Sequence, residues 1–167
     1  MDCIRELKAG DIVTVSGTIV TARDKAYARA LKEQKIPVDL REGIIYHCGP
    51  LAKREKKGIK IISAGPTTSS RMDGPEAGFI KLTGVRAIVG KGGVSEEVAE
   101  ELRKLGCVYL AFTGGAGALA AKSIEKIERV VWKDLGDAEA VWVLKVKNFG
   151  PLVVAVDLHG GNLYLQK

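Results

Sequence analysis

Cysteine is scarce and scattered in this sequence. Cys3, Cys48 and Cys107 are an odd set among 167 residues and form no Cys-x-x-Cys pair. That excludes a disulfide framework and a self-contained zinc or iron–sulfur site. Free thiols fit a reducing cytoplasm, and Cys48 and Cys107, within apolar runs, read as buried side chains. Only two histidines occur. His47 lies inside an apolar run and reads as structural, His159 lies in a terminal turn, and neither has ligand-type neighbours, so no metal is expected on this chain. Aromatics are only 5% of the residues, and none stands beside the one basic cluster, Lys53-Arg54-Glu55-Lys56-Lys57. A base-stacking platform is therefore missing. The net charge of +6 points to an anionic substrate or acidic partner rather than nucleic acid, and the cluster reads as a solvated loop. The longest uncharged stretch, Leu105 to Ala121, is about 17 residues, the lower limit for a membrane span, and four glycines interrupt it. No membrane is expected. The opening residues lack the apolar core of a secretory signal.

What is present is an ordinary globular balance, 46% hydrophobic and 28% charged, enough for one core and one domain over residues 1–167. Ile12 to Val20 alternates apolar and small residues, a half-buried strand with a bend or bulge at Gly17. Arg23 to Lys35 has helical spacing and ends before Pro37. Ile44 to Cys48 is a short strand. A charged loop then leads to a strand ending at Ser63. Helices over 74–82 and 96–105 alternate with strands over 86–90 and 108–112. Ser95 is the N-cap of the second helix, with acids in its first turn and bases in its last. A helix from Gly115, a strand over 129–134 and two strands, 140–147 and 152–157, complete the chain. The fold class is α/β: a mixed sheet with a central βαβαβ block, parallel and right-handed in its crossovers.

Two turns concentrate the chemistry. Gly65-Pro66-Thr67-Thr68-Ser69-Ser70-Arg71-Met72 puts four hydroxyls and a guanidinium after an apolar run, and Gly90-Lys91-Gly92-Gly93 puts an ammonium between glycines after another. N-capping explains one or two hydroxyls but not four ending in Arg71. Cations and free N–H groups at the carboxyl ends of parallel strands suit a carboxylate or phosphate. Arg23-Asp24, after the first strand, offers a third cation held by its neighbour. Thr113-Gly114-Gly115-Ala116-Gly117-Ala118-Leu119-Ala120 contains G-x-G-x-x-A with Asp134 about 20 residues on, a weak dinucleotide signal that close helix packing explains equally.

Taken in order, these residues resemble a known family. Gly10-Asp11, Gly17-Thr18-Ile19, Ala22 to Ala26, Ile45 to Pro50, Gly65 to Thr68, Arg71-Met72-Asp73, Gly90-Lys91-Gly92, Thr113 to Ala116 and Val154 to Asp157 resemble the β subunit, or C-terminal domain, of class I iron–sulfur fumarate hydratases. That family includes the L(+)-tartrate dehydratase β subunits. The resemblance covers nearly the whole chain and implies a swivelling β/β/α domain. It also implies an α subunit whose three cysteines hold a 4Fe–4S cluster, with no cluster bound by this chain, and hence a hetero-oligomer active only when assembled. The implied reaction is the reversible hydration of fumarate to L-malate, a step of the tricarboxylic acid cycle, with L(+)-tartrate or another 2-hydroxy diacid as the alternative.

Carried over by the resemblance, Arg23, Arg71 and Lys91 bind the carboxylates of a small dicarboxylate. Thr67 binds substrate and takes part in proton transfer. Asp24, Thr68, Gly90 and Gly92 support them. The family commonly has His where this chain has Tyr27, so no histidine role carries over there. A competing reading of a different class is a non-catalytic anion- or nucleotide-binding module built on Lys91 and the Gly114–Gly117 turn.

Overall fold

A computed structural model describes residues 2–56 and 58–165. In chain order the elements are β1 (Ile12–Ala22), α1 (Asp24–Glu33), β2 (Ile44–His47), β3 (Leu51–Glu55), β4 (Gly58–Ser63), α2 (Asp73–Thr83), β5 (Ala87–Gly90), α3 (Glu96–Lys104), β6 (Val108–Ala111), α4 (Gly117–Lys122), β7 (Ile124–Val131) and β8 (Val141–Val156). Single 3-10 turns cover Asp2–Glu6, Ser69–Met72 and Lys133–Leu135.

The main sheet runs β1-β2-β5-β6-β8-β7, and β1 also pairs with β8, so the first five strands close on themselves. β1, β2, β5 and β6 are mutually parallel; β8 runs antiparallel to β1, β6 and β7. The α/β class and mixed sheet are as the sequence implies. The strand period of two then sorts side chains into two cores. Ile19, Tyr46, Val89, Val108 and Leu110 point inward with Trp142, Leu144 and Phe149. Val20, Ile45, Ile88 and Tyr109 point outward beneath α1, α2 and α3, which supply Tyr27, Phe79, Ile80, Val98 and Leu102. α3 begins as expected, with the Ser95 hydroxyl accepting the Val98 N–H at 3.3 Å.

Four expectations need correction. The charged stretch after Pro50 is not a loop but the hairpin β3–β4, a separate two-stranded sheet. Its cross-strand pairs keep the cations on an exposed surface, so charge masked the strands; Lys57 lies outside the described residues. β4 is consequently not part of the parallel block. The strand placed over 129–134 is β7, which begins at Ile124, and Asp134 falls in the following 3-10 turn. The two C-terminal strands are one, β8, continuous through Asn148-Phe149-Gly150-Pro151. Asn148 and Gly150 take positive φ there, opposite the register shifts of β1 between Val13 and Gly17. The expected irregularity at Gly17 and the gap left between the two expected C-terminal strands are thus two sides of one bulged ladder.

Candidate active site

Loops leaving the carboxyl ends of β1 and β5 carry Arg23 and Lys91, and the turn after β4 carries Thr67, Thr68 and Arg71. Arg23 occupies the N-cap position of α1 in extended conformation. Its side chain lies against Gly49, just beyond β2; a Cβ there would come within 2.7 Å of Arg23 Nη1 and 2.6 Å of the Ala138 carbonyl. Glu139 holds Arg23 from another side. Its Oε1 is 3.5 Å from Arg23 Nε, and its Oε2 accepts the Lys25 N–H at 3.0 Å. Arg23 Nε is buried without a hydrogen bond, so the contact is a charge pair and not a formed bond.

The hydroxyl turn does not cap a strand of the parallel sheet through its own preceding strand, since β4 stands apart. It reaches the sheet by lying along the next residues of β2. Pro66 bridges Cys48, and the Thr67 N–H donates to the His47 carbonyl at 2.7 Å. Thr68 pairs with Lys91 in a parallel bridge, and the Ser69 N–H donates to the Lys91 carbonyl at 2.9 Å. The two turns read separately in the sequence are one stitched surface at the ends of β2 and β5. Arg71 extends from the 3-10 turn, half exposed, with Nη2 3.0 Å from Asp24 Oδ2. Asp24, expected from the sequence to hold its neighbour Arg23, pairs with Arg71 instead, and Glu139 takes the place beside Arg23. Gly92 has a positive φ and sits over the Thr68 methyl. The Lys91 chain runs toward Gly114 of the β6 loop, where a Cβ would lie 3.9 Å from its Nζ. Among the described residues Lys91 is in no ion pair, whereas Arg23 and Arg71 each have a carboxylate.

The chain after β6 does not form a dinucleotide site. β6 is followed by α4, only six residues long, and then by β7, which pairs antiparallel with β8 and not parallel with β6. The Gly117 Cα faces the Ser63 hydroxyl and the Gly65 backbone, leaving no room for a Cβ, and the Gly117 carbonyl accepts the Ala64 N–H. Asp134 pairs with Arg29 at 2.7 Å. The glycines here serve close packing against the hydroxyl turn.

Sequence reasoning missed a buried polar cluster under the stitched surface. His47, Ser69, Glu76, Tyr27 and Tyr109 have essentially no solvent exposure. His47 Nε2 lies 2.8 Å from the Tyr27 hydroxyl, which donates to Glu76 Oε1 at 2.9 Å; Glu76 Oε2 is 3.4 Å from the same Nε2. His47 Nδ1 lies 2.8 Å from Ser69 Oγ, which also accepts the Tyr109 hydroxyl at 2.9 Å. Burial, followed by the Glu76 carboxylate, holds the Tyr27 phenol well above its usual range. A signal for Glu76 was present: it shares the helical stripe of Phe79, Ile80 and Thr83, where an acid needs a partner.

The thiols do not suit a cluster. Cys3 is exposed while Cys48 and Cys107 are buried in different cores, and burial pushes the Cys48 thiol up to about 12 despite nearby Arg23. Among the described residues no group of three or more His, Cys, Asp or Glu could hold a metal ion, and no helix is long and apolar enough to cross a membrane.

The model of the Fumarase C-terminus family matches residues 1–167. The chain belongs to this family. It is 48% identical to a protein of Methanocaldococcus jannaschii provisionally named L(+)-tartrate dehydratase subunit beta, over 96% of this chain and 85% of that one. It is 40% identical to the L(+)-tartrate dehydratase subunit beta of Escherichia coli K12, over 96% and 80%. A Geobacillus stearothermophilus protein provisionally named fumarate hydratase class I is 43% identical over 96% of this chain and 31% of its own length. The resemblance drawn from the sequence motifs is therefore to the right family.

Proposed function

We propose that this chain is the β subunit of a hydro-lyase, reversibly hydrating fumarate to L-malate when assembled with an iron–sulfur α subunit. Family membership over the full chain supports the hydro-lyase class. The observation that supports the site is the stitching of Thr68 and Ser69 to Lys91, with Thr67 tied to His47, which brings hydroxyls and a cation to one end of the sheet. In this reading residues 1–167 act as one swivelling domain that closes over the partner's cluster. The cluster supplies Lewis acidity toward the substrate hydroxyl and a carboxylate; the thiols of this chain take no part in holding it.

The steps assigned to this chain use only its own residues. Lys91, with Arg71 and Arg23, binds the two carboxylates of the substrate. In the dehydration direction a proton leaves the carbon next to one carboxylate as hydroxide departs from the adjacent carbon. Negative charge builds on that carboxylate, and fixed cations stabilise it more in the transition state than in the ground state. Because Arg23 and Arg71 already face Glu139 and Asp24, they are oriented before substrate arrives, while Lys91 supplies the charge not yet matched. Thr67 presents its hydroxyl for proton transfer, a role that requires water to be excluded by the closed partner. Asp24, Thr68, Gly90 and Gly92 hold these groups in place.

A second reading, dehydration of L(+)-tartrate, is favoured by the names of two of the relatives above. The test is anaerobic mixing of the purified chain with its α subunit, followed by assays with L-malate, fumarate and L(+)-tartrate. Activity appears only in the mixture and is greatest with malate and fumarate; greatest activity with tartrate favours the second reading. Full activity from the isolated chain overturns both. Calorimetry on the isolated chain with NAD and ATP gives no heat of binding, and a nucleotide response restores the binding-module reading.

A further inference from the structure

The buried cluster has a consistent hydrogen-bond direction. The Tyr109 hydroxyl donates to Ser69 Oγ, and the Tyr27 hydroxyl donates to Glu76 Oε1. The Tyr27 oxygen can then accept only from His47 Nε2–H, and the Ser69 hydroxyl has its own proton left for His47 Nδ1. With the imidazole proton on Nε2, every donor from Tyr109 to Glu76 is used. With the proton on Nδ1, the Ser69 hydroxyl proton and the Tyr27 oxygen both lose their partner. Glu76 Oε2 accepts no hydrogen bond and faces the Nε2–H edge at 3.4 Å.

This chain of bonds ends where the candidate site begins. Ser69 follows Thr67 and Thr68 directly and precedes Arg71 by two residues. Its side chain is tied to His47 and its N–H to the Lys91 carbonyl. His47 in turn accepts the Thr67 N–H on its own carbonyl. His47 thus holds the turn by both backbone and side chain. Gly90 makes room for this contact: a Cβ there would overlap Ser69 Oγ and lie 3.2 Å from His47 Nδ1.

We infer that His47 and Ser69 are positioning residues: a fixed Nε2–H imidazole, braced by Tyr27 and Glu76, holds Ser69 so that Thr67 and Lys91 keep their mutual geometry. The inference rests on the hydro-lyase reading for its catalytic consequence, but its structural content stands apart from that reading.

The test uses Ser69→Ala, which removes the link, and Tyr109→Phe, which removes only the outermost donor. In the assembled enzyme Ser69→Ala lowers kcat about 10- to 100-fold, because displacement of reacting groups by an ångström costs on that order. KM changes by less than about threefold, since Arg71 and Arg23 are held by other partners. Tyr109→Phe shifts kcat the same way by a smaller factor. A merely structural role lowers the melting temperature and leaves kcat per folded molecule at the wild-type value, and that result overturns the inference. Two measurements on the isolated 167-residue chain do not depend on turnover. Imidazole nitrogen NMR finds His47 protonated on Nε2, and amide exchange at Thr67 and Ser69 speeds up at least about tenfold in Ser69→Ala while Val108 to Leu110 stay protected. An Nδ1–H tautomer, or unchanged exchange, overturns the inference. If the wild-type mixture has no hydro-lyase activity, the functional reading fails and these two measurements alone decide the positioning role.

Discussion

The two faces of the same closed sheet are built differently. Inside, Trp142, Phe149, Leu144, Val154 and Val108 pack with almost no polar groups; the Tyr46 hydroxyl finds the Ala64 carbonyl at 2.6 Å, and the Trp142 indole N–H finds the Asp137 carbonyl at 2.9 Å. Outside, beneath α1 and α2, an equally buried layer contains a histidine, a glutamate, a serine and two tyrosines joined by hydrogen bonds. A buried polar cluster costs more to build than an apolar one and fails badly if half satisfied. Polarity is concentrated where the strands end beneath the candidate site. The inner face fixes the fold, and the outer face fixes where the site loops stand.

That contrast can be broken from either side. The largest effect is expected at the surface of the site. Arg71→Ala or Lys91→Ala in the assembled enzyme cuts kcat/KM by about three orders of magnitude or more, while melting temperature stays within a few degrees, because Arg71 is half exposed. Equal loss of stability and activity would mean that these residues belong to the framework. The inner core gives the opposite pattern. Phe149→Ala costs about 3–5 kcal/mol in denaturant unfolding, and a value below about 1 kcal/mol would contradict its full burial.

Smaller effects sharpen the comparison. Glu139→Gln releases Arg23 and the start of α1 from a charge without emptying a buried volume. KM for the dicarboxylate rises several-fold and stability falls by about 1 kcal/mol or less, read from steady-state kinetics and melting curves; unchanged KM removes Arg23 from the binding set. Ser95→Ala, which leaves the Ser95 N–H bond to Asp73 in place, costs about 1 kcal/mol through loss of the α3 cap, with kcat unaltered. The smallest effect is chemical. At pH 8 iodoacetamide modifies exposed Cys3 and spares Cys48, whose thiol is buried and pushed up to about 12. Mass spectrometry counts the adducts, and rapid labelling of Cys48 would show that the inner core opens.

Much of the fold was legible because local patterns agree with it. Alternation in Ile12 to Val20, the cap at Ser95 and the short apolar runs ending at Cys48, Gly90 and Phe112 each needed only near neighbours. The hairpin β3–β4 escaped because cross-strand pairs, which carry its stability, are invisible in a single charged segment. The continuity of β8 escaped because Gly150-Pro151 reads as a break until β1 supplies the matching bulge. In the candidate site, the cations and hydroxyls were visible as unusual residues in turns. Their carboxylate partners were harder to see, since Glu139 and Arg23 are joined only by the closure of β8 against β1.

Local residue order set the inventory: the turn from Gly65 to Met72, the Lys91 glycine turn, Arg23-Asp24, the scattering of the three cysteines, and the alternating pattern that makes an α/β sheet. These follow from residue type and spacing, which act over a few positions. Packing of the closed sheet laid the hydroxyl turn along the end of β2 and not β4, stitched it to Lys91, and set His47 beneath both with Tyr27, Glu76, Ser69 and Tyr109. The reason is physical. A buried hydrogen bond is fixed by which side chains the packed strands and helices bring within about 3 Å, and the five members of this cluster are spread from residue 27 to residue 109.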